Sequence, residues 1–176
     1  MPAPPLASSS QTVEARGAAV GPSGTSLAGW LLLTVGGGAL IGVLTSGGDS
    51  PWYVALDKPS WTPPSWVFAP VWTVLYALMG VATWLVGRHG GWRVQRAALT
   101  LFVAQLALNF AWSPLFFTAE RPGLALVDIV ILWVLVALTI RAFGRVGHGA
   151  AGWLLVPYLC WVSYATALNA WIVLAN

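Results

Sequence analysis

Charged positions divide this chain into long uncharged stretches. None lies between Arg16 and Asp49, between Lys58 and Arg88, between Arg96 and Glu120, or after Arg145, and Asp128 is the one acid between Arg121 and Arg141. Each apolar run is long enough to cross the ~30 Å of bilayer hydrocarbon as a helix. Alternation with period two is absent, which argues against a barrel, and a helix satisfies its own backbone hydrogen bonds in hydrocarbon. The pattern predicts five spans, at about 27–45, 66–87, 96–117, 123–143 and 150–174. The expected fold class is an all-α integral membrane protein, a five-transmembrane-helix bundle forming one domain over 27–176.

Two stretches fall outside the helical pattern. Residues 1–26 are rich in Pro, Ala, Ser and Gly, with only Glu14 and Arg16 charged, and are expected to form a disordered tail. The run 27–45 that follows is longer than the core of a typical cleaved signal. The second stretch is WYVALDKPSWTPPSWVFAPVW, which places Trp52, Trp61, Trp66 and Trp72 among Pro59, Pro63, Pro64 and Pro70. Proline removes backbone donors and fixes φ, so 59–64 is not regular helix. A rigid aromatic loop across one end of the bundle is expected.

Composition agrees with a membrane location. Of 176 residues, 58% are hydrophobic and 7% charged, against about 25% charged in soluble domains. The net charge of +3 comes from only eight basic residues and gives no reason to expect a nucleic-acid partner. The lone Cys160 excludes an internal disulfide and is expected as an inert buried thiol. Arg88, Arg93 and Arg96 lie between spans two and three, and Arg141 and Arg145 between spans four and five. In a plasma-type membrane the positive-inside rule puts these connections and the N-terminus in the cytoplasm, with the Trp/Pro loop outside.

Candidate chemistry is sparse. Gln105, Asn109 and Trp112 follow i, i+4, i+7 and share one face of span three, which must look inward because amides are costly in hydrocarbon. Span two offers Trp72, Tyr76 and Met79, and span five offers Tyr158, Trp161, Ala165 and Asn169. Together these faces have the make-up of an aromatic ligand pocket with a few polar groups. Asp128 is expected to pair with a polar group of the bundle. Trp30, Trp84, Trp92 and Trp153 lie near span ends and read as interfacial belt residues. Gly38 and Gly42 have GxxxG spacing, read first as packing within the chain and, more sharply, as a cavity wall or dimer face. His89 and His148 sit in separate loops, so no metal site is expected. Nucleophile-elbow, phosphate-loop and paired-carboxylate signatures are missing, as are visible inverted repeats.

At these residues the chain resembles a known family. WYVALDKPSWTPPSWVFAPVWTVLYALMG resembles the first loop and second helix of the TspO/MBR family, and AQLALNFAWSPLFF, ALVDIVIL and VPYLCWVSYATALN resemble its third, fourth and fifth helices. The resemblance is collinear over about 27–171. It implies a five-helix bundle, commonly a homodimer in the lipid bilayer, that binds porphyrin or haem and hydrophobic small molecules in a pocket closed by the first loop. No obligatory cofactor is implied, porphyrin being a ligand. Trp72 and Trp161 match the family tryptophans linked to porphyrin binding and photochemical breakdown, so any catalytic role is expected there. Trp52, Trp61, Asn109, Trp112 and Ala165 match other pocket-lining positions, and Gln105 joins them on the face of span three. The family's sterol-recognition motif needs a Tyr and then a basic residue, and ALNAWIVLAN has neither after Asn169, so sterol binding through that motif is not supported. The reading is a membrane receptor or sensor for tetrapyrroles. Its alternatives are light-dependent porphyrin degradation and transport of porphyrin or lipid.

Overall fold

A computed structural model describes residues 24–45, 50–146 and 149–176. The tail up to residue 23, Asp49 and His148 lie outside the described residues. Five helices there are long and apolar enough to cross a membrane: Leu27–Thr45, Ser65–Gly87, Arg96–Thr118, Pro122–Phe143 and Ala150–Ala175. The chain is an all-α, multi-pass integral membrane protein.

Proline and glycine explain where these spans depart from uniform α-helix. The first comprises α1 (Gly24–Leu31), a π-helical turn (Leu32–Gly36) and α2 (Gly37–Thr45). Gly24–Leu27 is already helical, so the helix begins inside the stretch assigned to the tail. A short helix, α3 (Pro51–Ala55), follows before the second span. The second span enters through a 3-10 turn (Ser65–Val67) and continues as α4 (Phe68–Gly87). Pro70 falls in the first turn of α4, where the missing N–H has no helical partner to lose. After α5 (Gly91–Val94), the third span runs as α6 (Arg96–Ser113) and then widens into a π-helical segment, Pro114–Thr118. Pro114 has no N–H to bond back along the helix, and the Ala119 N–H reaches the Pro114 carbonyl at 2.8 Å. The fourth span is α7 (Pro122–Phe143), with Pro122 as its first residue. The fifth, expected as one helix, is split into α8 (Ala150–Trp153) and α9 (Val156–Ala175), and Pro157 just inside α9 accounts for the break.

The first span packs on the second and third, the third on the fourth, and the fourth on the fifth, while α8 returns to α4 and closes the ring. Around the bundle the order is therefore one, two, five, four, three. Beyond α8, α4 and α9 make little close backbone contact, and large side chains fill the interval. Cys160 is exposed on α9, contrary to the expected burial. Tyr158 and Val162 point inward, and a residue two positions from each lies on the opposite side of the helix.

Candidate functional site

The site is built where α4, α6 and α9 face one another at the loop end. Its floor is a chain of hydrogen bonds between three spans. Tyr76 Oη donates to Asn109 Oδ1 at 2.6 Å, Asn109 Nδ2 donates to Tyr158 Oη at 2.9 Å, and Tyr158 Oη donates to Gln105 Oε1 at 3.0 Å. All four residues are buried. Gln105 Nε2 faces the Met79 sulfur at 4.0 Å, a weak acceptor. The amides expected on the inner face of span three are thus nearly satisfied, as burial in hydrocarbon requires. Asp128 is the exception. It is buried, and its Oδ2 has no hydrogen-bond partner among the described residues, so the expected pairing is not seen. The inward amide donors are already committed, Asn109 to Tyr158 and Asn169 to the Pro122 carbonyl.

Aromatic rings stand on this floor. Trp72 stacks on Tyr76 with centroids 5.2 Å apart and planes 26° from parallel. Its ring meets Trp161 edge-to-face at 6.4 Å and 86°, and meets Tyr158 at 6.2 Å. Phe68 and Tyr164 flank Trp161 at 5.9 and 5.6 Å. Such offset and T-shaped contacts are the favoured aromatic geometries. Behind them, span one approaches through glycine. A Cβ on Gly38 would overlap the Tyr76 ring, and one on Gly37 would lie 2.7 Å from Phe110. Gly42 has nothing within 4 Å, so only half of the GxxxG pair packs within the chain.

The loop is held over this wall by polar tethers. Ser50 caps α3 by accepting from the Tyr53 N–H at 3.2 Å, with Pro51 as the first helical residue. Lys58 Nζ donates to the carbonyls of Tyr53, Val54 and Leu56 at 2.7, 3.2 and 2.9 Å, closing the other end. Tyr164 Oη donates to the Trp61 carbonyl at 2.8 Å, and the two rings pack at 5.5 Å. The Asn176 side chain accepts from the Asp57 N–H at 3.0 Å and donates to the Asp57 carbonyl at 3.2 Å. Residues 59–64 are not helical, as their prolines require, whereas the Ser50-Pro51 start signal marks the helical turn that the loop reading passed over.

The expected pattern extends beyond these contacts. The TspO/MBR family pattern matches residues 30–174. The chain belongs to the TspO/MBR family. Over 127 residues it is 48% identical to the tryptophan-rich protein TspO of Chlorobaculum tepidum, covering 71% of this chain and 79% of that one. It is 46% identical over 120 residues to the translocator protein of Homo sapiens, covering 67% and 70%. With the tryptophan-rich sensory protein of Cereibacter sphaeroides it shares 44% over 118 residues, covering 67% and 72%.

Within this TspO/MBR chain the expected site residues fall into two groups. Trp72, Trp161, Gln105 and Asn109 converge directly or through Tyr76 and Tyr158, Ala165 packs on the same core, and Trp61 joins through Tyr164. Trp52 instead packs on Phe116, at 5.6 Å, and Trp112 joins the two groups: it packs on the same core as Ala165, stacks on Phe116 at 5.1 Å, and donates from Nε1 to Asn169 Oδ1 at 3.2 Å. Tyr158, expected on the pocket face of span five, holds the floor together, whereas Tyr164, which the sequence reading did not name, holds the loop. Helical spacing from Trp161 marks Tyr158 and Tyr164 three residues away on either side. Of the expected belt residues, Trp92 and Trp153 are exposed, whereas Trp30 packs edge-on against Phe102 and the Trp84 Nε1 is buried.

Proposed function

We propose that this chain is a membrane receptor for a flat hydrophobic macrocycle of the tetrapyrrole class, such as protoporphyrin IX or haem, with other hydrophobic small molecules sharing its site. The observation that carries the reading is the edge-to-face meeting of Trp72 and Trp161, which bridges an interval between α4 and α9 that their backbones leave open. Indole faces stack on a conjugated macrocycle, and the buried phenol–amide chain holds Tyr76 rigidly beneath Trp72. Asn109 and Gln105 lie behind the tyrosines, so they act by positioning the aromatic wall. The rings contact one another across this interval. Entry of a ligand therefore requires the rings or the tethered loop to part.

Quenching of tryptophan fluorescence during titration with protoporphyrin IX tests the proposal. Trp72→Phe and Trp161→Phe should each weaken binding roughly 2- to 10-fold, the range of one aromatic contact. Unchanged affinity in both variants would take these residues out of the site. Illumination of the complex separates the degradation reading, which requires faster porphyrin loss in wild type than in the double variant. Flux into proteoliposomes separates the transport reading.

We further infer that the arginine-bearing connections face the cytoplasm in a plasma-type membrane. In a Cys160→Ser background, a cysteine at Ser60 should react with an impermeant maleimide added to intact cells, and one at Trp92 should not. The reverse labelling would invert the topology.

A further inference from the structure

We propose that the arginine-bearing end of the bundle holds a phosphate headgroup of an anionic phospholipid. An open cleft of about 370 Å³ lies there, between the connection of spans two and three and the end of α7. Its polar lining is His89, Gln95 and Arg145, and its apolar lining includes Val94, Ala98 and Ala142. The combination matches one class of occupant. A phospholipid presents an anion at the membrane surface with an apolar glycerol and acyl portion beside it.

Charge selects the anionic headgroup. Arg88, Arg93, Arg96, Arg141 and Arg145 all belong to this end, and neither connection contains an acid. Of the five acids, Asp57 and Glu120 lie in the loops at the opposite end of the bundle, Asp128 lies inside the fourth span, and Glu14 and Asp49 lie outside the described residues. The Arg88 guanidinium is engaged over the Trp84 ring at 5.0 Å, whereas Arg145 lines the cleft. Gln95 Nε2 donates to the His89 carbonyl at 3.0 Å, and His89 Nδ1 lies 2.9 Å from the Leu85 carbonyl, which fixes the rim. Trp92 and Val94 are exposed beside it, apolar side chains suited to the bilayer surface. Each basic residue near an anionic surface contributes on the order of 1 kcal/mol, so a guanidinium facing the phosphate should contribute about fivefold in affinity.

The test uses the full chain, purified and stripped of lipid, with its melting temperature followed during titration. Phosphatidylglycerol should bind at least about fivefold more tightly than phosphatidylcholine of the same acyl chains. Arg145→Gln should abolish that preference and Arg88→Gln should keep it. Ala142→Leu, which fills the cleft and leaves every charge in place, should also abolish it. Equal binding of the two lipids by wild type overturns the proposal. So does an equal loss in Arg145→Gln and Arg88→Gln, which would mean diffuse surface charge, or an undiminished preference in Ala142→Leu. Displacement of phosphatidylglycerol by inorganic phosphate would make the site one for a soluble anion and overturn the lipid assignment.

Discussion

One phenolic oxygen links two amides of span three to α9. Tyr158 Oη accepts from Asn109 and donates to Gln105, while Tyr76 supplies the remaining donor to Asn109. Removing it leaves a donor and an acceptor short of partners where no water can replace them. Tyr158→Phe should therefore cost about 1–3 kcal/mol, seen as a lower melting temperature of the solubilised protein. Tyr76→Phe removes one bond only and should cost less. Equal stability of Tyr158→Phe and wild type would show that the network contributes nothing measurable. Gly38 makes a second residue-scale case. Gly38→Ala drives a methyl into the Tyr76 ring and should lower both stability and porphyrin affinity, whereas Gly42→Ala meets open space and should leave both within error. Helical spacing brought Gln105, Asn109 and Trp112 to one face without coordinates. It could not reveal which partner each would take, because those partners lie 26 to 57 residues away in the chain.

At the scale of elements, the loop over 50–65 behaves as a strap with fastenings at defined points. Proline stiffens 59–64, Lys58 terminates α3, and the attachments to the bundle are the Tyr164–Trp61 bond and the reciprocal Asn176–Asp57 pair. Tyr164→Phe combined with Asn176→Ala removes both attachments and leaves the loop's internal bonds. Amide exchange across 50–65 should then accelerate while exchange in α6 and α7 stays as in wild type. Porphyrin association should quicken if the loop limits entry. Unaltered exchange in the double variant would show that ring packing alone holds the loop. The proline spacing made the non-helical character of this segment legible. Its anchor just past the end of α9 was not, since Asn176 carries no local signal that it will bond Asp57.

For the whole molecule, the ring order one, two, five, four, three requires the fifth span to enter between the second and the fourth. The entry is pinched at Gly152. A Cβ there would lie 2.9 Å from the Ile140 carbonyl oxygen and 3.0 Å from the Gly144 nitrogen, both backbone atoms that cannot swing aside. Gly152→Ala should destabilise the bundle by about 1–3 kcal/mol, whereas Gly87→Ala, with nothing within 4 Å, should not. A comparison of their melting temperatures checks this. The approach of α8 to α4 contrasts with the ring-filled interval between α4 and α9, so the second and fifth spans are tight at one end and spaced by side chains at the other.

Charge-free length and apolar composition were enough to specify five membrane helices, because burying backbone in hydrocarbon leaves the chain few alternatives. Proline positions marked the non-helical loop for an equally local reason. Which spans become neighbours, and which indoles meet, is a different kind of information. Trp72 and Trp161 are 89 positions apart and come together through the ring order, whereas Trp52 goes to Phe116 instead. The exposure of Cys160 and the Asp128 Oδ2 that finds no partner among the described residues belong to the same category. A helix can be apolar all round, and only packing decides which of its sides faces lipid and which faces the other spans.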